Sequence, residues 1–355
     1  MRKRIFVTLL LAVFVTASLS TSAFAEKRKH FKLAWSIYVG WMPWGEAAAQ
    51  GIVKKWADKY GIEIEVVQFN DYIESINQYT AGAFDGVTAT NMDTLAIPCV
   101  GGIDTTALLV GDFSNGNDAV ILKGTDKLAD IKGQSVNLVE LSVSHYLLAR
   151  ALDSIKLSER DINVVNTSDA DMIAAYSTPD VTAVVTWNPL VAEIMSMPDA
   201  HKVFDSSNIP GEIIDLTVVN TDVLKDNPEF GKALTGAWYE MMALMKRDDA
   251  AGKEARAAMG KASGTDLAGY DMQLNSTKMF FRPEEAVYFG QSQQLHRTMD
   301  TVRNFLFEHG LLGDAAPSPD VVGIAFPDGK ILGDKGNVKF LFDTSFMELA
   351  AKYKL

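Results

Sequence analysis

Two carboxylates and three tryptophans stand at or just past the ends of strand-like runs in this chain. Glu140 ends VNLVEL, an alternating β-branched run, just before SVSHYLLARALDSI. In the second run Leu147, Leu148, Ala151, Leu152 and Ile155 fall on one helical stripe. A helix start carries unpaired N–H groups and the positive end of a dipole, so it ordinarily draws an anion. Here the chain supplies its own negative charge. Asp93 follows another strand-like run, FDGVTAT; Trp41 and Trp44 straddle Pro43 at a strand–helix turn, and Trp187 ends VTAVVTW. Carboxylates meeting a planar cation make short, charge-assisted and often bidentate hydrogen bonds. An indole face over the same cation adds about 0.5–2 kcal/mol. These residue types are suited to holding a flat, N–H-rich, positively charged group. A neutral planar amide would also need a donor for its carbonyl, from Asn91, Asn188 or a backbone N–H.

Each of these residues has a structural role open to it as well. Glu140 can simply answer the helix dipole. Asp93 can cap a short helix beginning near Thr94, and Ser142 can cap the helix after it. Asp215 can pair at a strand end or between lobes, and Tyr38 has the same two roles open. Trp56 and Trp238 lie inside helical runs and are expected to be packed. His145 suits a structural hydrogen bond. The histidines, at 30, 145, 201, 296 and 309, show neither H-x-H nor H-E-x-x-H spacing, so no compact metal motif is expected. With no G-x-S-x-G and no phosphate loop, neither an enzyme nor a cofactor is expected.

The elements that must position these residues alternate from residue 31 onward. FKLAWSIYV reads as strand, WGEAAAQGIVKKWADKYG as one helix closed by Gly61, and IEIEVVQF as strand; DYIESINQYTAG then reads as helix. The alternation continues through VTAVVTW and PLVAEIMSM, predicting an α/β protein whose lobes are mostly parallel sheets flanked by helices. Past Thr221 the sequence reads as mainly helical. Two Gly-, Asn- and Ser-rich stretches, GDFSNGNDAV and DSSNIPGEII, read as crossings between lobes. They divide the chain into residues 26–115 in lobe 1, 116–208 in lobe 2, and 209–355 back in lobe 1. Two crossings suit hinge closure on a ligand, which in open sheets lies beyond the carboxyl ends of strands. By that rule Tyr38, Trp41, Trp44, Asn91, Asp93, Glu140, Ser142, Trp187, Asn188 and Asp215 are the candidate contacts.

The first 25 residues have the form of an export signal: Arg2, Lys3 and Arg4, then IFVTLLLAVFVTASLS, then Ala23-Phe24-Ala25 as a cleavage pattern. Cleavage after Ala25 would place a soluble chain in the periplasm. The formal charge of −12 makes nucleic acid and anionic membrane poor partners. Cys99 is the only cysteine, so no internal disulfide can form, and a buried, inert thiol is expected.

The segment DIKGQSVNLVELSVSHYLLARALDSIKLSERDINVVNTSDADMIAAYSTPDVTAVVTWNPL resembles solute-binding proteins of ABC importers of the nitrate/sulfonate/taurine type. The shared features are a D-hydrophobic-KG entry, an S-x-H-hydrophobic helix, and V-T-W before Asn and Pro. WSIYVGWMPW, NQYTAGAFDGVTATNMDT and VGDFSNGNDA are similar to the branch associated with urea carboxylase. The resemblance implies a two-lobed periplasmic binding protein, monomeric, that serves a membrane permease and binds guanidinium or urea. Sulfonate, taurine and nitrate are the ligands of the wider family. Enzymes on a similar fold, a pyrimidine-precursor synthase among them, are the other class it admits. Glu140 and Asp93 favour the guanidinium cation over urea, and both over an anion.

Overall fold

The computed structural model describes residues 28–313 and 316–355. The proposed export signal lies outside them. Among the described residues no helix is long and apolar enough to cross a membrane.

The strands, in chain order, are β1 (His30–Ser36), β2 (Glu63–Phe69), β3 (Gly86–Thr90), β4 (Thr105–Ser114), β5 (Asp118–Lys123), β6 (Ser135–Leu138) and β7 (Asn163–Asn166). They continue as β8 (Ala183–Trp187), β9 (Ala200–Asp205), β10 (Ile214–Asn220), β11 (Thr277–Met279), β12 (Gly323–Ala325), β13 (Ile331–Leu332) and β14 (Val338–Phe342). Among the described residues they form two sheets. One has the order β13-β12-β14-β4-β10-β3-β1-β2, with β11 paired to β4; the other runs β7-β6-β8-β5-β9. The protein is thus a two-lobed α/β structure, with β5 to β9 forming the smaller sheet.

The expected parallel order holds for β1 with β2 and β3, and for β6 with β7 and β8. Strands beside the crossings run the other way. β10 is antiparallel to both β3 and β4, and β5 is antiparallel to both β8 and β9. The chain leaves the larger sheet at Ser114, enters the smaller one at Asp118, and returns from Asp205 to Ile214. A strand that arrives from the opposite lobe enters its sheet at the end facing that lobe, where the parallel strands finish, which fixes this direction.

β3, β5 and β8 are buried almost throughout, as strands covered on both faces should be. One apolar core extends through both lobes, and a second cluster of Ala119, Ile121, Met172, Tyr176, Val184, Val191 and Ile194 packs behind the smaller sheet. Cys99 is buried in the larger core, and burial pushes its thiol well up, as an inert cysteine requires. The helix expected over residues 44–61 is two helices, Met42–Ala49 and Ile52–Lys59. Gly51 breaks it with a φ of 72°, a left-handed conformation that glycine adopts without steric cost. Strands β12 to β14 lie in the tail expected to be helical; β12 and β14 pair in parallel, and β14 pairs with β4.

Asn91 pins the returning strand to the larger sheet. Its Oδ1 accepts the Ile214 N–H at 3.0 Å and its Nδ2 donates to the Glu212 carbonyl at 3.2 Å. Asn91→Ala would leave both backbone groups buried and unpaired, at about 1–3 kcal/mol. Urea unfolding should show a loss of that size.

Candidate functional site

The two lobes meet over a small cavity lined by Tyr38, Trp41, Tyr72, Thr90, Asp118, Val143, Trp187, Ile213 and Asp215. It holds about 10 Å³ of space for water, so the walls are close to touching. No lysine, arginine or histidine contributes to them. Tyr38 and Trp41 follow β1, Thr90 ends β3, and Asp215 lies in β10; Asp118 opens β5 and Trp187 ends β8. Both lobes therefore supply a carboxylate and an indole.

Two of the three ring contacts in the aromatic walls are edge against face, and that of Trp41 with Tyr72 is tilted. Tyr38 and Trp41 have ring centroids 4.9 Å apart, Trp41 and Tyr72 5.5 Å, and Tyr72 and Trp187 5.6 Å. The last pair spans the lobes. Trp187 Nε1 also donates across the gap to the Ile37 carbonyl at 3.2 Å. The indole N–H of Trp41 is buried without a partner.

Four buried aspartates surround these rings: Asp93, Asp112, Asp118 and Asp215. Asp93 Oδ2 accepts from Tyr72 Oη at 2.7 Å, Thr90 Oγ1 at 2.9 Å and the Val143 amide at 3.3 Å. Asp118 accepts from Ser114 Oγ. Tyr38 Oη stands 2.8 Å from Asp112 Oδ1 and 2.9 Å from Asp215 Oδ2. Burial without a neighbouring cation is the main influence on each carboxyl. Asp93 is pushed up to about 6, with the Tyr72 and Thr90 hydroxyls and the Val143 amide holding it back. Asp118 rises to about 7 against its bond from Ser114, and Asp112 to about 7 against its bonds with Asp215 and Tyr38. Asp215 rises well above its ordinary value, through burial first and then the charges of Asp112 and Asp118.

Of the ten residues expected at the site, Tyr38, Trp41, Trp187 and Asp215 line the cavity. Asp93 lies just behind Tyr72 and Thr90, as the N-terminal carboxylate of a short helix, Asn91–Thr94. Ser142 caps the helix Val143–Ser154, accepting from the Ser144 amide and donating to the Val139 carbonyl. Asn188 Nδ2 reaches across the lobes to Ser276 Oγ at 3.2 Å while its Oδ1 accepts the Ala192 amide. Three expectations are corrected. Glu140 is exposed and absent from the cavity walls: its strand ends at Leu138, and the turn through Leu141 (φ 64°) carries it outward. Trp44 is fully buried against Trp238 in lobe 1, with Nε1 bonded to Thr217 Oγ1 at 3.1 Å. Asn91 spends both ends of its amide on the backbone around β10. Tyr72, Thr90, Asp118, Val143 and Ile213 were not anticipated. Asp118 follows directly on NGN after β4, and its position at the start of a strand was the available signal.

Two sheets joined by two crossings, with an aromatic-walled cavity where they meet, define the two-lobed binding-protein fold. The alkanesulfonate-binding protein SsuA of Xanthomonas axonopodis pv. citri, solved bound to MOPS, has this architecture. It matches with a TM-score of 0.67 at 17% identity, over 82% of this chain and 96% of that one. The periplasmic nitrate-binding protein NrtA of Synechocystis PCC 6803 matches at 0.56 and 11% identity, over 93% and 99%. In sequence, residues 34–260 match the NMT1-like family, and the chain belongs to it. The taurine-binding periplasmic protein of Escherichia coli (strain K12) is 26% identical over 129 residues, 36% of this chain and 40% of that protein.

The buried aspartates set the pH dependence of stability. A carboxyl raised on folding binds more protons folded than unfolded, between its unfolded value near 4 and its folded value. Stability therefore falls as pH rises through about 4 to 7. Carboxyls that the fold holds low, such as Asp161 and Asp249, lose their contribution only below about pH 4. The urea midpoint should be higher at pH 5 than at pH 7.5, and the difference should shrink in Asp118→Asn.

Proposed function

We propose that this protein is the solute-binding component of an ABC importer. It captures a small, planar, nitrogen-rich cation between its lobes and delivers it to a membrane permease. Guanidinium is the favoured solute and urea the next, and the place of action is the periplasm, after export and removal of the leader. The fold supports a binding protein, as do the family and the relatives named for taurine, nitrate and alkanesulfonate. One observation carries the choice of solute: Asp118 and Asp215, one from each lobe, face an aromatic-walled cavity that no cationic side chain enters. A guanidinium ion offers N–H donors in one plane to both carboxylates and two flat faces to the rings. A sulfonate or nitrate would bring a further negative charge among buried carboxylates and find no positive partner there. The closed cavity has room for about one water, so a solute enters when the lobes part.

The relatives' names favour a second reading, in which the solute is a sulfonate, taurine or nitrate. Titration calorimetry with guanidinium, urea, taurine and nitrate decides between them. Saturable one-to-one guanidinium binding is expected, weakened about 10- to 100-fold in Asp118→Asn and Asp215→Asn by loss of a charge-assisted bond. Tight binding of taurine or nitrate with no response to guanidinium would reject the cationic solute.

A further inference from the structure

Tyr38 Oη lies within hydrogen-bond reach of two carboxyl groups, Asp112 at 2.8 Å and Asp215 at 2.9 Å. A phenol has one hydrogen to donate. It can serve one carboxylate; the second short contact needs a hydrogen on the other carboxyl, donated to the phenol oxygen. The far side of Asp112 makes the same demand independently. Its Oδ2 is fully buried and receives no hydrogen bond from a donor. It faces Gly40, where even a Cβ would come within 2.5 Å. Asp112 and Asp215 are directly paired residues of β4 and β10, and two carboxyl groups held side by side attract only through a shared proton.

Among the described residues around the trio, none offers a countercharge. β10 presents Asp215, β5 presents Asp118, and β11 places Met279 opposite Asp112. From the helix Leu267–Leu274 comes Tyr270, whose hydroxyl donates to the Val39 carbonyl. Behind Tyr270, Arg256 is committed to Asp271 and to the carbonyls of Met245 and Arg247.

We infer that the Asp112–Tyr38–Asp215 trio holds one carboxyl proton in the solute-free protein at neutral pH and releases it to solvent when a cation is captured beside Asp215. The release rests on the cationic reading above; the stored proton does not. The exchange balances charge, one cation in and one proton out, so the cavity gains no net charge on binding. Asp112, which is not a wall of the cavity, acts as a positioning residue that lets Asp215 be neutral alone and ionised with its guest. While the acid remains protonated, affinity for the cation rises about tenfold per pH unit.

Guanidinium chloride titrated calorimetrically at pH 7 in phosphate and in Tris, buffers of different ionisation heat, counts the protons released. Close to one is expected for the wild type and close to none for Asp112→Asn, whose amide can donate to Tyr38 Oη without titrating. A second arm needs no solute. Infrared spectra of the solute-free Asp118→Asn protein at pH 7, which lacks the other carboxyl raised to about 7, should show the C=O stretch of a neutral carboxylic acid, lost when Asp112→Asn is added. Absence of that band overturns the stored proton whatever the solute. Guanidinium binding without proton release overturns the exchange. If guanidinium does not bind, the cationic reading and the release fall together, while the infrared band still decides the stored proton.

Discussion

Four carboxyl groups lie buried where two lobes meet, with no basic side chain among the cavity walls, and much of the local structure answers that constraint. Isolated buried carboxylates are expensive because protein cannot replace their hydration. Here the substitutes are hydroxyls and a backbone amide: Tyr72 and Thr90 on Asp93, Ser114 on Asp118, Tyr38 between Asp112 and Asp215, and Val143 from the facing lobe. Such neutral donors soften the cost without cancelling the charge. They leave a site whose energy depends on its protons and, under the proposed reading, on the cation it captures.

The lobes are held by a few polar ties around that centre. The helix start that the sequence makes conspicuous finds its anion, but from across the gap: the Val143 amide donates to Asp93, a residue of the other lobe. Farther out, Arg150 forks onto Glu212 at 2.9 and 3.0 Å, and the Tyr72 amide meets Asp169 at 3.3 Å. His145, Glu159 and His309 also gather, with ligand-type atoms all within 4.8 Å. The first of these histidines has one ring nitrogen already engaged by the backbone. Its Nδ1 accepts the Leu141 amide at 3.1 Å, so in the neutral ring Nε2 carries the hydrogen, 2.6 Å from Glu159. A metal-bound Nε2 would need the reverse tautomer.

The alternation of strands and helices was readable in the sequence because buried parallel strands and amphipathic helices write themselves as runs and stripes. The cleft was half readable, for a geometric reason. Tyr38, Trp41, Trp187 and Asp215 follow from the rule that strand ends face the ligand, and all four line the cavity. The same rule placed Glu140 and Trp44 there, yet one turn of backbone sends Glu140 outward and one turn of helix sends Trp44 into the core. Tyr72 belongs to a helix that starts on the cavity's edge, a tertiary fact with no local mark. Asp112 and Asp118 were present in GDFSNGNDAV, where turn-forming residues drew the eye to a crossing and away from the two acids flanking it. The tail hid β12 and β13 because strands of three and two residues have too little periodicity to register.

A fold shared with proteins named for alkanesulfonate and nitrate need not share their solute's sign, because the fold supplies only two surfaces that close and a place between them. What sets the sign is which groups lie at the strand ends. Here β4 and β10 bring Asp112 and Asp215 into register as directly paired residues, so two acids are built into the backbone pairing of the larger lobe. β5 then adds Asp118 from the smaller lobe, so closing the lobes drives a third acid toward them. Closure without a positive guest is opposed by that repulsion unless protons relieve it. Closure on the proposed cation would be favoured by the same charges. The discrimination between an empty and a loaded cleft, which any hinge-closing receptor needs, would then follow from the acids themselves, with no separate sensing device.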